Sequence, residues 1–140
     1  ADIFVRRCGI GGSTNMSNTP TRATIYEDTG VTCMARIVGA DSTAITQSTT
    51  SAITLAVFKN SSTVATYTAS LTVADVVFNA LQTDGRWTKD STGYNFRYSA
   101  IASGFDDGDA TFRLEFKFTP TSGSQYFVVY EIDTVEIFTS

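Results

Sequence analysis

The stretch Ala110–Phe118, ATFRLEFKF, alternates without a break: Phe112, Leu114, Phe116 and Phe118 fall in one phase, Arg113, Glu115 and Lys117 in the other. A side-chain period of two held this long predicts a β-strand with one buried face and one wet face. The next segment, TPTSGSQ (119–125), gathers turn formers, and YFVVYEI (126–132) resumes with aromatic and β-branched residues. The pair predicts an antiparallel hairpin. Beyond it Asp133 and Thr134 interrupt the apolar phase, and Val135 and Ile137 continue it out of step with Tyr130 and Ile132. That pattern predicts a bulge or a strand that changes sheets.

Working outward, GYNFRYSAIA (93–102) sets Tyr94, Phe96 and Tyr98 against Asn95, Arg97 and Ser99. It reads as a third strand, antiparallel to the hairpin and in the same sheet. Further upstream VTCMARIV (31–38), AITLAVF (52–58), TVATYTA (63–69) and DVVFNAL (75–81) give short apolar runs separated by polar, turn-rich segments. The stretch Val73–Leu81 would also fit one helical turn, but its VVF run favours a strand. No heptad and no internal repeat is present. Short strands at this spacing predict an all-β fold, an immunoglobulin-like antiparallel β-sandwich of about seven to nine strands. The expected organisation is a sandwich domain over 21–140 preceded by an extended N-terminal arm and linker over 1–20.

Composition agrees with that class. The 140 residues suffice for one domain, only 17% of them are charged, and 10 Phe and 6 Tyr supply most of the large side chains. A net charge of −4 with 10 basic residues scattered along the chain argues against nucleic acid as a partner, since phosphate neutralisation needs clustered Lys and Arg. No run approaches the ~18–20 apolar residues of a membrane-spanning helix. Cys8 and Cys33 are too few for a disulfide framework and lack metal-ligand spacing; two reduced thiols with Cys33 in the core is the expectation, one bridge the alternative in an oxidising compartment.

The chain contains no histidine, which removes the commonest general base and the commonest metal ligand, and with them the Ser-His-Asp and Cys-His nucleophile arrangements. The loop GFDDGD (104–109) brings Asp106, Asp107 and Asp109 close in sequence, but without the spacing or terminal Glu of an EF-hand; it reads as a solvated loop, with a weak calcium site as the rival. Trp87, in DGRWTKD (84–90), is the single tryptophan. Buried, it plugs the sandwich under a long connection; exposed, it is a ligand or partner contact. Arg113, Glu115 and Lys117 are placed to pair across strands with Arg97 or Glu131. No catalytic, cofactor-binding or metal-binding residue emerges, and the expectation is a protein that is not an enzyme and needs no cofactor.

The N-terminus is different. Ile3, Phe4 and Val5 form an apolar run without polar alternation, Arg6 and Arg7 follow, and Gly9, Gly11, Gly12, Ser13, Asn15 and Pro20 give the linker composition that separates them from the domain. Burying such side chains is worth about 1.5–3 kcal/mol each. Two arrangements satisfy that drive: an edge strand folded back on its own sandwich, or a strand or plug added to a neighbouring subunit.

Taken together, VTCMARIVGADSTAITQSTTSAITLAVF (31–58), LTVADVVFNALQTDGRWTKDSTGYNFRY (71–98) and FRLEFKFTPTSGSQYFVVYEI (112–132) resemble the immunoglobulin-like β-sandwich modules of tailed-bacteriophage virion structural proteins, of the capsid decoration and baseplate type. The resemblance covers roughly residues 22–138, and the paired cysteines flanking a Trp of antibody domains are missing. It implies a non-enzymatic structural protein located on the virion, foremost a capsid decoration or cement protein on the outer shell. Its partner would be the major capsid protein or another virion subunit, with a homo-oligomer on the assembly, and Ile3, Phe4, Val5, Arg6 and Arg7 would dock on it. A tail or baseplate location is the variant. A carbohydrate-binding or host-adhesion module using Trp87 and Tyr94 is the alternative from another class.

Overall fold

A computed structural model describes residues 2–9, 21–38, 44–82, 94–100, 105 and 107–138. Among these, nine strands and one helical turn follow in the order β1 (Asp2–Gly9), β2 (Thr21–Tyr26), β3 (Val31–Val38), β4 (Thr50–Lys59), β5 (Tyr67–Leu71), α1 (Val73–Val76), β6 (Val77–Gln82), β7 (Tyr94–Ala100), β8 (Thr111–Pro120) and β9 (Tyr126–Val135). They form a β-sandwich of two sheets, β1-β3-β7-β6 and β2-β9-β8-β4-β5. The opening hairpin is β8 with β9, in register from Thr111 opposite Asp133 to Phe118 opposite Tyr126, and Gly123 supplies a positive φ of 104° in its turn.

The strict alternation of β8 becomes burial: Phe112, Leu114, Phe116 and Phe118 are buried and face the buried residues of β3 and β7 across the sandwich. Phe116 stands at the centre, with edge-on ring contacts to Phe96 at 5.1 Å, Tyr98 at 5.4 Å and Tyr130 at 5.7 Å. Such contacts add about 0.5–1.5 kcal/mol each beyond area burial.

These contacts also correct one expectation. The strand Tyr94–Ala100 does not lie beside the hairpin; it pairs with β3 and β6 in the opposite sheet. Phe96 and Tyr98 therefore meet Phe116 edge-on across the core, where the inner side chains of two sheets ~10 Å apart interdigitate. Alternation reports that a strand has an apolar face but not which sheet supplies it.

A second correction concerns the end of the hairpin. Strand β9 runs unbroken to Val135, with no register shift against either β8 or β2. Tyr126, Val128, Tyr130, Ile132 and Thr134 all point inward, and Val135 and Ile137 are exposed. Thr134 holds the inward phase because its hydroxyl is satisfied: Oγ1 donates to the carbonyls of Asp107 at 2.5 Å or Ala110 at 3.1 Å and accepts the Ala110 N–H at 3.1 Å. A polar residue thus occupies a core position without a bulge.

The segment from Val73 combines both local readings: α1 makes one turn and β6 begins at Val77. TRATIY, which sequence pattern leaves unassigned, is β2, with Ile25 in the core. Two of the strand pairings are parallel, β1 with β3 and β2 with β9. Both join strands that are not consecutive along the chain; a path from β1 in one sheet to β2 in the other and back to β3 gives the first of them.

The core is tied by two buried polar links. Tyr130 Oη donates to the Met34 carbonyl at 2.8 Å, joining β9 in one sheet to β3 in the other. Asn95, fully buried on β7, accepts the Ile37 N–H on Oδ1 at 2.9 Å and donates from Nδ2 to the carbonyls of Ile37 at 2.9 Å and Ile45 at 3.3 Å. It pins the return of the chain after β3, where Ile45 N–H also donates to the Ile37 carbonyl.

Candidate functional site

The sequence-predicted site residues fall in different places. Backbone of the segment holding Ile3, Phe4, Val5, Arg6 and Arg7 runs as β1 along β3, with Ile3 opposite Cys33 and Phe4 opposite Met34, at the end of its sheet. The side chains of that segment, the linker 10–20, and Trp87 lie outside the described residues. Cys33 is a free thiol in the core, and burial pushes its pKa strongly upward, so it is neutral and unreactive in the folded chain.

Of the GFDDGD segment, Phe105 and Asp107–Asp109 are described, and Phe105 is buried in the core. Asp106 lies outside the described residues; Asp107 pairs with Lys59, and Asp109 adopts a positive φ of 57° and donates its N–H to the Thr134 carbonyl at 3.0 Å. Gly108 is packed so closely that a Cβ there would stand 2.7 Å from Glu27 Oε2 and 2.8 Å from Glu136 Cα. Among the described residues no three carboxylate or thiol groups gather in a metal-holding arrangement.

The side chains that do come together lie on the outer face of the five-stranded sheet. Register places Phe58 of β4 opposite Arg113 of β8, Arg113 opposite Glu131 of β9, and Glu131 opposite Arg22 of β2. The result is a straight row across four strands. Arg113 donates from Nε to Glu115 Oε2 at 2.6 Å and from Nη1 to Glu131 Oε1 at 3.0 Å. The second oxygen of Glu131 accepts Arg22 Nη1 at 2.7 Å, and Arg22 Nη2 lies 3.5 Å from Asp133. Arg113 thus pairs with Glu131, one of the partners expected for this face, while Arg97 sits on β7 in the other sheet. Exposed pairs of this kind are worth about 0–1 kcal/mol each; their consequence is a guanidinium held in a fixed orientation.

A groove of about 450 Å³ opens where this row meets the turn after β4. Phe58 and Arg113 line it with Glu115 and Glu131, and the hydroxyl residues Ser61–Thr63 and Thr111 form its rim. The rim is rigid for a local reason. Asn60 and Ser61 take positive φ values of 53° and 65°, Ser62 N–H donates to the Lys59 carbonyl at 3.1 Å, and Asn60 bonds Thr111 twice, donating its N–H at 2.8 Å and accepting the Thr111 N–H on Oδ1 at 3.0 Å. Two consecutive left-handed residues closed by an i to i+3 bond are the pattern of a type I′ turn, which Asn favours at its first central position. That the turn Lys59–Ser62 leans on Thr111 and frames a groove depends on the β4–β8 register.

Exposed aromatic and aliphatic side chains elsewhere include Tyr26 with its register partner Val135, and Phe127 and Phe138. No described helix is long and apolar enough to cross a membrane. The fold and this surface define a β-sandwich module. No family model matches the chain, and no curated protein matches it significantly.

Proposed function

We propose that the protein is a non-enzymatic structural protein of a virion, a decoration or cement protein that binds the outer capsid shell through its N-terminal segment and joins neighbouring copies there. The observation that carries this reading is the opening of the chain: an apolar run, Ile3–Phe4–Val5, and the Arg6–Arg7 pair precede a glycine-rich linker that leads into a β-sandwich. The position of β1 at the end of its sheet supports it, since an edge strand has one set of backbone donors and acceptors open to a further strand. The arginines suit acidic side chains on a partner. The resemblance of residues 22–138 to virion modules of tailed bacteriophages is what favours a virion location within this proposal; a baseplate or tail site is the variant of the same reading.

The test is co-sedimentation of the full chain and of a chain lacking residues 1–12 with undecorated shells, alongside thermal melts of both. Loss of shell binding by a truncated chain that still melts cooperatively above the assay temperature is the expected result, the lost β1–β3 pairing lowering its melt. Equal binding by both chains, with a lowered melt for the truncated one, would refute the assembly role and leave β1 as an edge strand of its own domain.

A further inference from the structure

We infer that the groove beside the β4–β5 turn is a binding site for a neutral pyranose saccharide of one or two rings. This stands apart from the N-terminal segment and from Trp87, and it does not rest on the virion reading.

Several features of the groove point to that ligand class. Its volume of about 450 Å³ lies within the ~300–1,000 Å³ range of small-ligand sites and suits a disaccharide better than a larger molecule. Its apolar element is a single half-buried ring, Phe58, set on the flat outer face of the sheet next to Arg113. One aromatic face matches the C–H face of a pyranose, whose hydroxyls need the polar groups around it. The remaining lining is hydroxyl, carboxylate and guanidinium. Ser and Thr hydroxyls donate or accept, carboxylates accept and Arg donates, which is the mixed inventory that vicinal sugar hydroxyls need.

Charge decides the neutral class. The Arg113 guanidinium is already bonded to Glu115 and Glu131, and Glu131 is bonded again by Arg22. A phosphate or carboxylate ligand would have to displace a protein carboxylate from Arg113 and then sit beside it, whereas a hydroxyl can add to the existing network. Preorganisation supports the same conclusion: the left-handed pair Asn60–Ser61 and the two hydrogen bonds between Asn60 and Thr111 shape the rim without a ligand, so little ordering cost is left for binding.

The test is a titration of the isotope-labelled full chain with lactose, maltose, cellobiose and diacetylchitobiose, followed by backbone amide NMR, with glucuronate and glucose 6-phosphate as the anionic arm. Saturable shifts confined to Ser61–Thr63 and Thr111–Glu115 are expected for at least one neutral disaccharide, with Kd of order 0.1–10 mM. Phe58→Ala and Glu115→Gln should each weaken that binding at least tenfold; both side chains face outward, and an unchanged circular dichroism melt would show the sandwich intact. Phe127→Ser, at the far end of the same sheet face, should leave it unchanged. Absence of saturable shifts with all four sugars overturns the inference. So do shifts centred elsewhere, or tighter binding of either anion.

Discussion

Asn95→Ala should be among the most damaging single changes in this chain, although no apolar core contact is lost. The side chain satisfies Ile37 N–H, Ile37 O and Ile45 O, and all of these bonds are buried. After truncation the Ile37 carbonyl keeps the Ile45 N–H, so the groups left without their partner are Ile37 N–H and Ile45 O. Each buried orphan costs about 1–3 kcal/mol, and partial hydration of the vacated space recovers some of it, so a loss of about 2–4 kcal/mol is expected. For a domain this size that corresponds to a drop in Tm of roughly 10 °C. Urea unfolding followed by circular dichroism measures the loss, and amide hydrogen exchange locates it: Ile37 should lose protection more than the β8–β9 hairpin does. Asn95→Asp provides the sign check. Its carboxyl would face two carbonyls, so its folded pKa lies above the unfolded value of about 3.9. Stability should therefore be highest below that value and fall as pH rises through the folded pKa. A loss under about 0.5 kcal/mol for Asn95→Ala, the range of an ordinary surface change, with Ile37 protection unaltered, would refute the reasoning.

The remaining predictions concern Thr134, Gly108 and the buried thiol. Thr134→Val, which would restore a smooth apolar phase to β9, should instead destabilise by about 1–2 kcal/mol in urea unfolding, because Ala110 N–H loses its hydroxyl acceptor. Gly108→Ala should cost about 1–3 kcal/mol in the same assay, since the added methyl meets backbone of Glu136 at 2.8 Å. Cys33 should resist a maleimide or disulfide reagent in the folded chain and react once urea unfolds it. Burial raises the folded pKa of Cys33 above its ordinary 9.0, so the thiol contributes no penalty below that pH; stability should decline above about pH 9, and Cys33→Ala should reduce that decline. Tyr98, whose pKa is raised by partial burial and then by Tyr67 and Cys33, adds a fall of the same sign above its ordinary 10.0.

How much of this was legible in the chain follows from the range of each signal. The β8–β9 hairpin is local: its two alternating strands and their turn lie between Ala110 and Ile132, and the sequence shows them. The phase of Thr134 was not legible, because a threonine reads as an interruption until the loop carbonyls and N–H that satisfy it are in place. The sheet that takes Tyr94–Ala100 was not legible either, since aromatic alternation is the same whether a strand lies beside its neighbour or across the core from it. Asn95 falls in the polar phase of its strand, and its burial depends on Ile37 and Ile45, 58 and 50 positions away. On the outer face the pairing of Arg113 with Glu131 could be foreseen, one strand apart in a hairpin. The full row from Phe58 to Arg22, and the groove it borders, needs the registers of β4 and β2, which no local pattern encodes.

The most direct test of the proposed role is amide hydrogen exchange of the full chain, free and bound to undecorated shells. Residues 2–9 should gain the largest protection on binding, with the β8–β9 hairpin unchanged. Protection gained over another surface while residues 2–9 stay as they are in the free protein would contradict docking through the N-terminal segment, and no association with the shells at all would contradict the decoration role itself.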